Sequence, residues 1–184
     1  EPFRQAISLI NALTPEALIR FQSLAERALL NQGVTFSVYA DKRGTETIFP
    51  FCLVPRLISA DDFSHVERGL EQRVRALSMF LDDVYGDQRM LAEHPILRDL
   101  ALGAKHYLPV LRGIRPPGGV RIHVSGIDLI RSPDGVFRVL EDNLRTPSGV
   151  SYVLENRIVS KRVLPQIFEE ARVHPVEHYP AQLS

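Results

Sequence analysis

Lysine is nearly absent: Lys42, Lys105 and Lys161 are the only three among 22 basic residues, so the rest are arginines. Arginine suits bidentate recognition of carboxylate and phosphate, although such a skew also follows from genomic composition. Cysteine is limited to Cys52, which excludes an intrachain disulfide and any metal site built from several thiolates. Its place in the apolar run "FPFCLV" predicts a buried, inert thiol. Net charge is missing as well, with 22 basic residues set against 22 acidic ones. A nucleic acid or an anionic membrane is therefore not the expected main partner. No apolar run approaches the roughly 18–20 residues of a membrane span, and no signal-peptide pattern opens the chain. A cytoplasmic protein is the expectation.

What is present reads as an ordinary folded domain. The 184 residues are 45% hydrophobic and 24% charged, enough for one domain with a core. "FRQAISLINAL" predicts a short helix with Phe3, Ile7 and Ile10 inward. "TPEALIRFQSLAERALLNQG" predicts a longer one, capped by Thr14, started by Pro15 and stopped by Gly33. Its stripe is Leu18, Phe21, Leu24, Ala25, Ala28 and Leu29. "VTFSVYA" and "TETIFPFCLVP" predict strands joined through "DKRG", a hairpin connection ending in Gly44.

The longest helix is expected over 60–85, capped by Ser59, with Asp61 and Asp62 at the positive end of its dipole. Its stripe of Phe63, Val66, Leu70, Val74, Leu77, Phe80, Leu81 and Val84 predicts continuous burial. Two short helices follow, the second between Pro95 and Gly103. Residues 104–119 form a Pro/Gly-rich crossing, then comes a second hairpin. A last helix is expected from Ser148 to about Arg162, and the tail "ARVHPVEHYPAQLS" shows no clear closing element. The fold class is α+β: helices packed on a mostly antiparallel sheet with β-hairpins, in a single domain of a helical lead-in (1–32) and an α+β body (33–184).

The second hairpin, "DLIRSPDGVFRVLEDNLRTPSGVS", places acids inside apolar runs. With Asp134-Gly135 central in the turn, Asp128 falls opposite Glu141 and Gly126 opposite Asn143. A bulge would slide this register by one residue. The two-residue period then puts Asp128, Glu141 and Asn143 on the face shared with Val124, Phe137 and Val139. Two carboxylates side by side on a desolvated face repel, and burial penalises both. A shared proton, arginine partners or a divalent cation would relieve them. The oxygen-only donor set suits a hard ion such as Mg²⁺. Gly126 would leave room for a ligand. The alternative is that both acids face solvent, paired with Arg121, Arg131 or Arg145. Just beyond, "RTPSGVS" opens a helix with small residues and free N–H groups, which suits an anion; ordinary capping by Ser148 is the competing reading. His123 lies on the opposite face of its strand, which disfavours a metal-dependent phosphohydrolase.

Three stretches, "GVTFSVYADKRGTETIFPFCLVPRLIS", "RVRALSMFLDDVYGDQ" and "HVSGIDLIRSPDGVFRVLEDNLRTPSGVSYVLENR", together resemble the circularly permuted ATP-grasp family related to glutathionylspermidine synthases. The resemblance runs from about Gly33 to Tyr179. It implies an ATP-dependent carboxylate–amine ligase that phosphorylates a carboxylate and lets an amine attack the acyl-phosphate. The implied substrates are a small peptide or amino-acid carboxylate and an amine. By the same resemblance Asp128, Glu141 and Asn143 hold Mg²⁺ against ATP, and Thr146, Ser148 and Gly149 contact the nucleotide or substrate. The family's usual arginine two positions before the first acid is replaced by Gly126, so Arg131 or Arg145 is expected to serve instead. The family clamps ATP with lysines from a far half for which this chain offers no candidate. The expectation is an N-terminal portion that is inactive without the remaining C-terminal half. A non-catalytic binding module on the same fold is the alternative.

Overall fold

The computed structural model describes residues 2–38 and 45–182, which group into two compact units. One unit combines residues 1–59 with 148–184, and the other spans 60–147. The class is α+β, with two separate two-stranded antiparallel sheets among the described residues.

In the first unit, helix α1 covers Pro2–Asn11 and α2 covers Pro15–Asn31. The predicted cap is in place: Ala17 N–H donates to Thr14 Oγ1 at 3.2 Å. Gly33, at φ +71°, ends α2, and Val34 N–H returns to the Leu29 carbonyl at 2.9 Å. Strands β1 (Thr35–Val38) and β2 (Thr45–Ile48) pair antiparallel, Thr35 opposite Ile48. Their expected connection, "DKRG" with Gly44, lies outside the described residues. β2 stops well short of the predicted Pro55, because Pro50 cannot donate to a ladder.

Side-chain hydrogen bonds replace the ladder there. Gln22 Nε2 donates to the Phe51 carbonyl at 2.7 Å, and Leu53 N–H donates to Gln22 Oε1 at 3.0 Å. The amide of one helical residue thus satisfies an irregular segment as a neighbouring strand would. With the strand period broken, Leu53 is buried and Cys52, expected inside, is exposed.

Helix α6 (Val150–Val163) starts two residues later than predicted and is capped by Gly149 rather than Ser148. A further helix not expected from the sequence follows, α7 (Pro165–Glu170), too short to show a helical period. Leu164 and Ile167 bury themselves with Ala6 and Leu53, while Ala25, Leu29 and Val159 form a second cluster. Ala6 is the inward residue of α1; Ile7, predicted inward, is 47% exposed.

In the second unit, α3 runs over Ala60–Tyr85 as predicted. The helices α4 (Arg89–Glu93) and α5 (Pro95–Leu102) follow, and then come β3 (Gly126–Arg131) and β4 (Phe137–Asn143). Val84 and Leu91 are buried. The α3 stripe is periodic but only half covered, and Phe63 is exposed. Twenty-six helical residues extend about 39 Å, whereas a seven-residue strand extends about 23 Å. Among the described residues no helix is long and apolar enough to cross a membrane.

Leu29 is fully buried between α2 and α6. Leu29→Ala is expected to lower stability by about 2–5 kcal/mol, measured as a reduced urea midpoint with an unchanged slope.

Candidate functional site

The β3–β4 hairpin carries the predicted acids, and its turn is one residue longer than the sequence pattern promised. Gly135 N–H donates to the Ser132 carbonyl at 2.8 Å, and Ser132 N–H donates to the Val136 carbonyl at 2.9 Å. Pro133, Asp134 and Gly135 are the loop, with Gly135 at φ +81°. This is a three-residue connection ending in a left-handed glycine. It pairs Arg131 with Phe137 and Leu129 with Val139. Leu140 is then left without a partner, and this bulge returns the strands to the predicted register. Asp128 lies opposite Glu141, and Gly126 opposite Asn143. Two offsets of one residue cancel.

They cancel in register but not in facing. The bulge reverses the phase of β4, so Phe137 and Val139 share a side with Asp142, not with Glu141. That side is the more covered one, with Ile127, Leu129, Phe137, Val139 and Asp142 all partly buried. Asp128 and Glu141 are neighbours on the exposed side, where the expectation of an apolar face fails.

Charge follows the same division. Asp142 is gripped by Arg73 of α3 through two hydrogen bonds, Nε to Oδ1 at 2.7 Å and Nη2 to Oδ2 at 2.5 Å. This fork holds the Asp142 carboxyl below the usual carboxylate range and raises the Arg73 guanidinium. Asp134 is held low in the same way by Arg138, at 3.0 and 2.7 Å, with help from Val136 N–H. The Asp128 and Glu141 side chains have no hydrogen bond or ion pair among the described residues. Of the arginines considered as their partners, Arg121 binds Asp82. Arg131 binds Asp62 at 3.3 Å and the Gly135 carbonyl at 3.1 Å, and lies over the Phe137 ring. Arg145, two residues beyond Asn143, has Nη1 3.2 Å from His106 Nδ1.

Gly126 is not an opening for a ligand. A Cβ there would meet Pro147 Cβ at 2.8 Å and Asn143 Cβ at 3.6 Å. The glycine exists because Pro147 packs on it, which pins the segment after β4, Thr146 included, against the start of β3. Ser148 and Gly149 belong to the other unit. There Gly149, at φ +101°, precedes α6 with no side chain capping the helix.

No cluster of three or more His, Cys, Asp and Glu side chains suited to a metal occurs among the described residues. The pair Asp128 and Glu141, with the Asn143 amide one pleat away, is an oxygen-only set. Its chemistry fits a hard divalent cation, which would relieve the repulsion between two unpartnered carboxylates. Sequence reasoning missed Arg73 and His106, the pairing of Asp142 with Arg73, and the packing of Pro147 on Gly126. The doubled acid Glu141-Asp142 was the one available signal, since adjacent strand residues point to opposite faces.

Comparison with known proteins gives a consistent answer. A model of the circularly permuted ATP-grasp type 2 family matches residues 55–184. An uncharacterized protein of Mycobacterium leprae is 53% identical over 91% of this chain and 29% of its own length. One from Synechocystis is 45% identical over 100% of this chain and 39% of its own. A protein of Frankia alni provisionally named glutamate–cysteine ligase is 40% identical over 90% of this chain and 19% of its own. The chain therefore spans well under half the length of these relatives.

Two outcomes follow from the geometry. Gly126→Ala is expected to cost about 1–3 kcal/mol through overlap with Pro147, and Pro147→Gly in the same chain should recover part of that loss in a thermal double-mutant cycle. The Asp142 carboxyl has a folded-state pKa below its unfolded one. Its stabilising effect is therefore complete above about pH 4 and disappears as pH falls through the lower folded value. A ¹³C titration of that carboxyl should show the low midpoint, and Arg73→Gln should raise it.

Proposed function

The chain belongs to the circularly permuted ATP-grasp family, type 2, and from that premise we propose that it carries the magnesium-binding hairpin of an ATP-dependent carboxylate–amine ligase. The observation that carries this reading is the pairing of Asp128 with Glu141. In a hairpin whose other two acids each have an arginine, these two sit opposite one another without a counter-charge.

In the proposed reaction the γ-phosphoryl group of ATP passes to a carboxylate oxygen, giving an acyl-phosphate and ADP. A neutral amine then attacks the acyl carbon. Phosphate leaves with the C–O electron pair, the amine loses a proton, and an amide remains. Mg²⁺, when bound, neutralises charge on the ATP phosphates. Asp128, Glu141 and Asn143 are the residues that would hold it. Asn143 adds a neutral amide oxygen, so the set carries two negative charges rather than three. The assignment of Thr146, Ser148 and Gly149 to nucleotide or substrate rests on the family resemblance. It is supported independently by the α6 N-terminus, which Gly149 leaves without a capping side chain and whose N–H groups suit an anion.

The provisional name of the Frankia alni relative supports an amino-acid carboxylate and an amino-acid amine as substrates. A glutathionylspermidine-type polyamine acceptor has no such support. Use of ATP fits the cytoplasm. The nucleotide clamp is proposed to be completed by sequence beyond this chain, in the part of the relatives that it does not span, and the isolated chain is proposed to be inactive. A binding module without ligase chemistry is the second reading. Its support is Gly126, which stands where the family resemblance expects an arginine and whose space is filled by Pro147.

The test is ATP turnover by the full-length protein with Mg²⁺ and amine acceptors. Asp128→Asn and Glu141→Gln are each expected to lower kcat by about 10²-fold or more with an unchanged melting temperature. Full activity in Asp128→Asn would remove the metal assignment. Absence of any ATP- or Mg²⁺-dependent thermal shift in the wild type would favour the binding module.

A further inference from the structure

Beyond α7 the chain turns back over α6. Arg172, at φ +48°, takes the left-handed conformation that usually falls to glycine. Arg172 N–H donates to the Glu169 carbonyl at 3.4 Å, and Val173 N–H donates to the Phe168 carbonyl at 3.3 Å. These two bonds close a helix end around a left-handed residue, and they reverse the chain. The returning segment is then tied to α6. Arg157 Nη1 donates to the His174 carbonyl at 2.9 Å, and Lys161 Nζ lies 3.4 Å from Glu177 Oε1. Between α6, α7 and this segment is a cavity of about 170 Å³, with Pro165, Phe168, Val173 and Pro175 as its apolar lining. All of it belongs to one unit. One water needs about 10–15 Å³ and a drug-sized ligand about 300 Å³ or more, so the volume suits a ligand of a few heavy atoms.

The charges lining the cavity do not all cancel. Lys161 and Glu177 answer each other. The side chains of Arg157 and Glu169 have no ion pair among the described residues. Arg157 is half-buried, with its guanidinium carbon 5.7 Å from the centre of the Phe168 ring. A ring face and a carbonyl orient a guanidinium without neutralising it. With Nη1 committed to His174, the Nε–Nη2 edge is left, and that edge takes a carboxylate by two parallel hydrogen bonds. Glu169, from α7, is exposed. The place is distinct from the candidate site above. Arg157 lies about 12 Å along α6 from Gly149, and Asp128 and Glu141 belong to the other unit.

We propose that this cavity is a binding site for a free apolar α-amino acid, with the ligand carboxylate on Arg157, its ammonium on Glu169 and its side chain against Phe168 and Val173. A zwitterion answers both unpaired charges and brings no net charge into a half-buried place. A plain carboxylate would leave Glu169 unanswered, and a plain amine would leave Arg157 so. The apolar lining selects an aliphatic side chain over a polar one. A bound amino acid bridges α6, α7 and the returning segment, so it stabilises that end of the unit. The proposal goes beyond the ligase reading and does not rest on it, since it uses neither the hairpin acids nor the start of α6.

The 184-residue chain is titrated by NMR with three probes of one shape: L-valine, L-valinamide, which lacks the carboxylate, and isovalerate, which lacks the ammonium. L-Valine is expected to bind about threefold or more tighter than either of the others. It should shift the Arg157 Nε resonance and the Phe168 ring. Arg157→Gln is expected to weaken L-valine about tenfold and to leave L-valinamide nearly unchanged. Glu169→Gln is expected to weaken L-valine about threefold and to leave isovalerate nearly unchanged. Arg157 also ties down the His174 carbonyl, so its variant is checked by thermal melting. Glu169 has no partner to lose, and its variant reads binding alone. The proposal is overturned if the wild type does not bind L-valine, if the shifts fall outside the cavity, or if L-valinamide and isovalerate bind as tightly as L-valine. It is equally overturned if Glu169→Gln binds L-valine as the wild type does.

Discussion

Leu140 has no partner across the β3–β4 hairpin, and the half-turn of phase it introduces orients every acid beyond it. Without the bulge, Glu141 would share the covered face with Val139, and Asp142 would point to solvent. With it, Asp142 turns toward α3, where Arg73 takes both carboxylate oxygens. Glu141 turns outward beside Asp128. The strand is held in this rotation by two contacts at its C-terminal end. The Arg73 fork fixes residue 142, and Pro147 against Gly126 fixes the segment that leaves the strand. A one-residue change in either the turn or the bulge would separate Asp128 from Glu141, or bury them together unpaired.

This arrangement sorts like groups by what surrounds them. Four carboxylates stand in one hairpin, and two are neutralised by arginine forks that pull their pKa values down. The other two repel each other in the open. Exposed carboxylates without a counter-charge add little to the fold, so the pair reads as a binding site more than as a structural element. A hard cation relieves the repulsion, and the neutral Asn143 amide adds a ligand without adding charge. The chemistry proposed for the family, phosphoryl transfer to a carboxylate, requires a metal and a cation to act on the same phosphates.

Much of this was readable in the sequence. The bounds of α3 and the cap and stop of α2 followed from Thr14, Pro15, Gly33 and Ser59 with their neighbouring apolar stripes. The opposition of Asp128 and Glu141 was also read, but for a reason only half correct. The Asp134-Gly135 dipeptide announced a turn, not its length, and nothing in the residues marked Leu140 as the compensating bulge. Cys52 was expected inside and is exposed, because a Gln22 amide two turns into a helix replaced a strand partner. α7 was invisible because six residues carry no period. Arg73 and His106 reach their partners across 69 and 39 residues of sequence, and pairing at that separation leaves no local trace.

The most direct measurement is paramagnetic broadening by Mn²⁺, used as a probe for Mg²⁺, in the amide spectrum of the 184-residue chain. Broadening is expected to be centred on the amides around Asp128 and Glu141–Asn143, to fall off toward Asp134 at the turn, and to disappear in the Asp128→Asn, Glu141→Gln double variant. Broadening centred elsewhere, or unchanged in that variant, would contradict it.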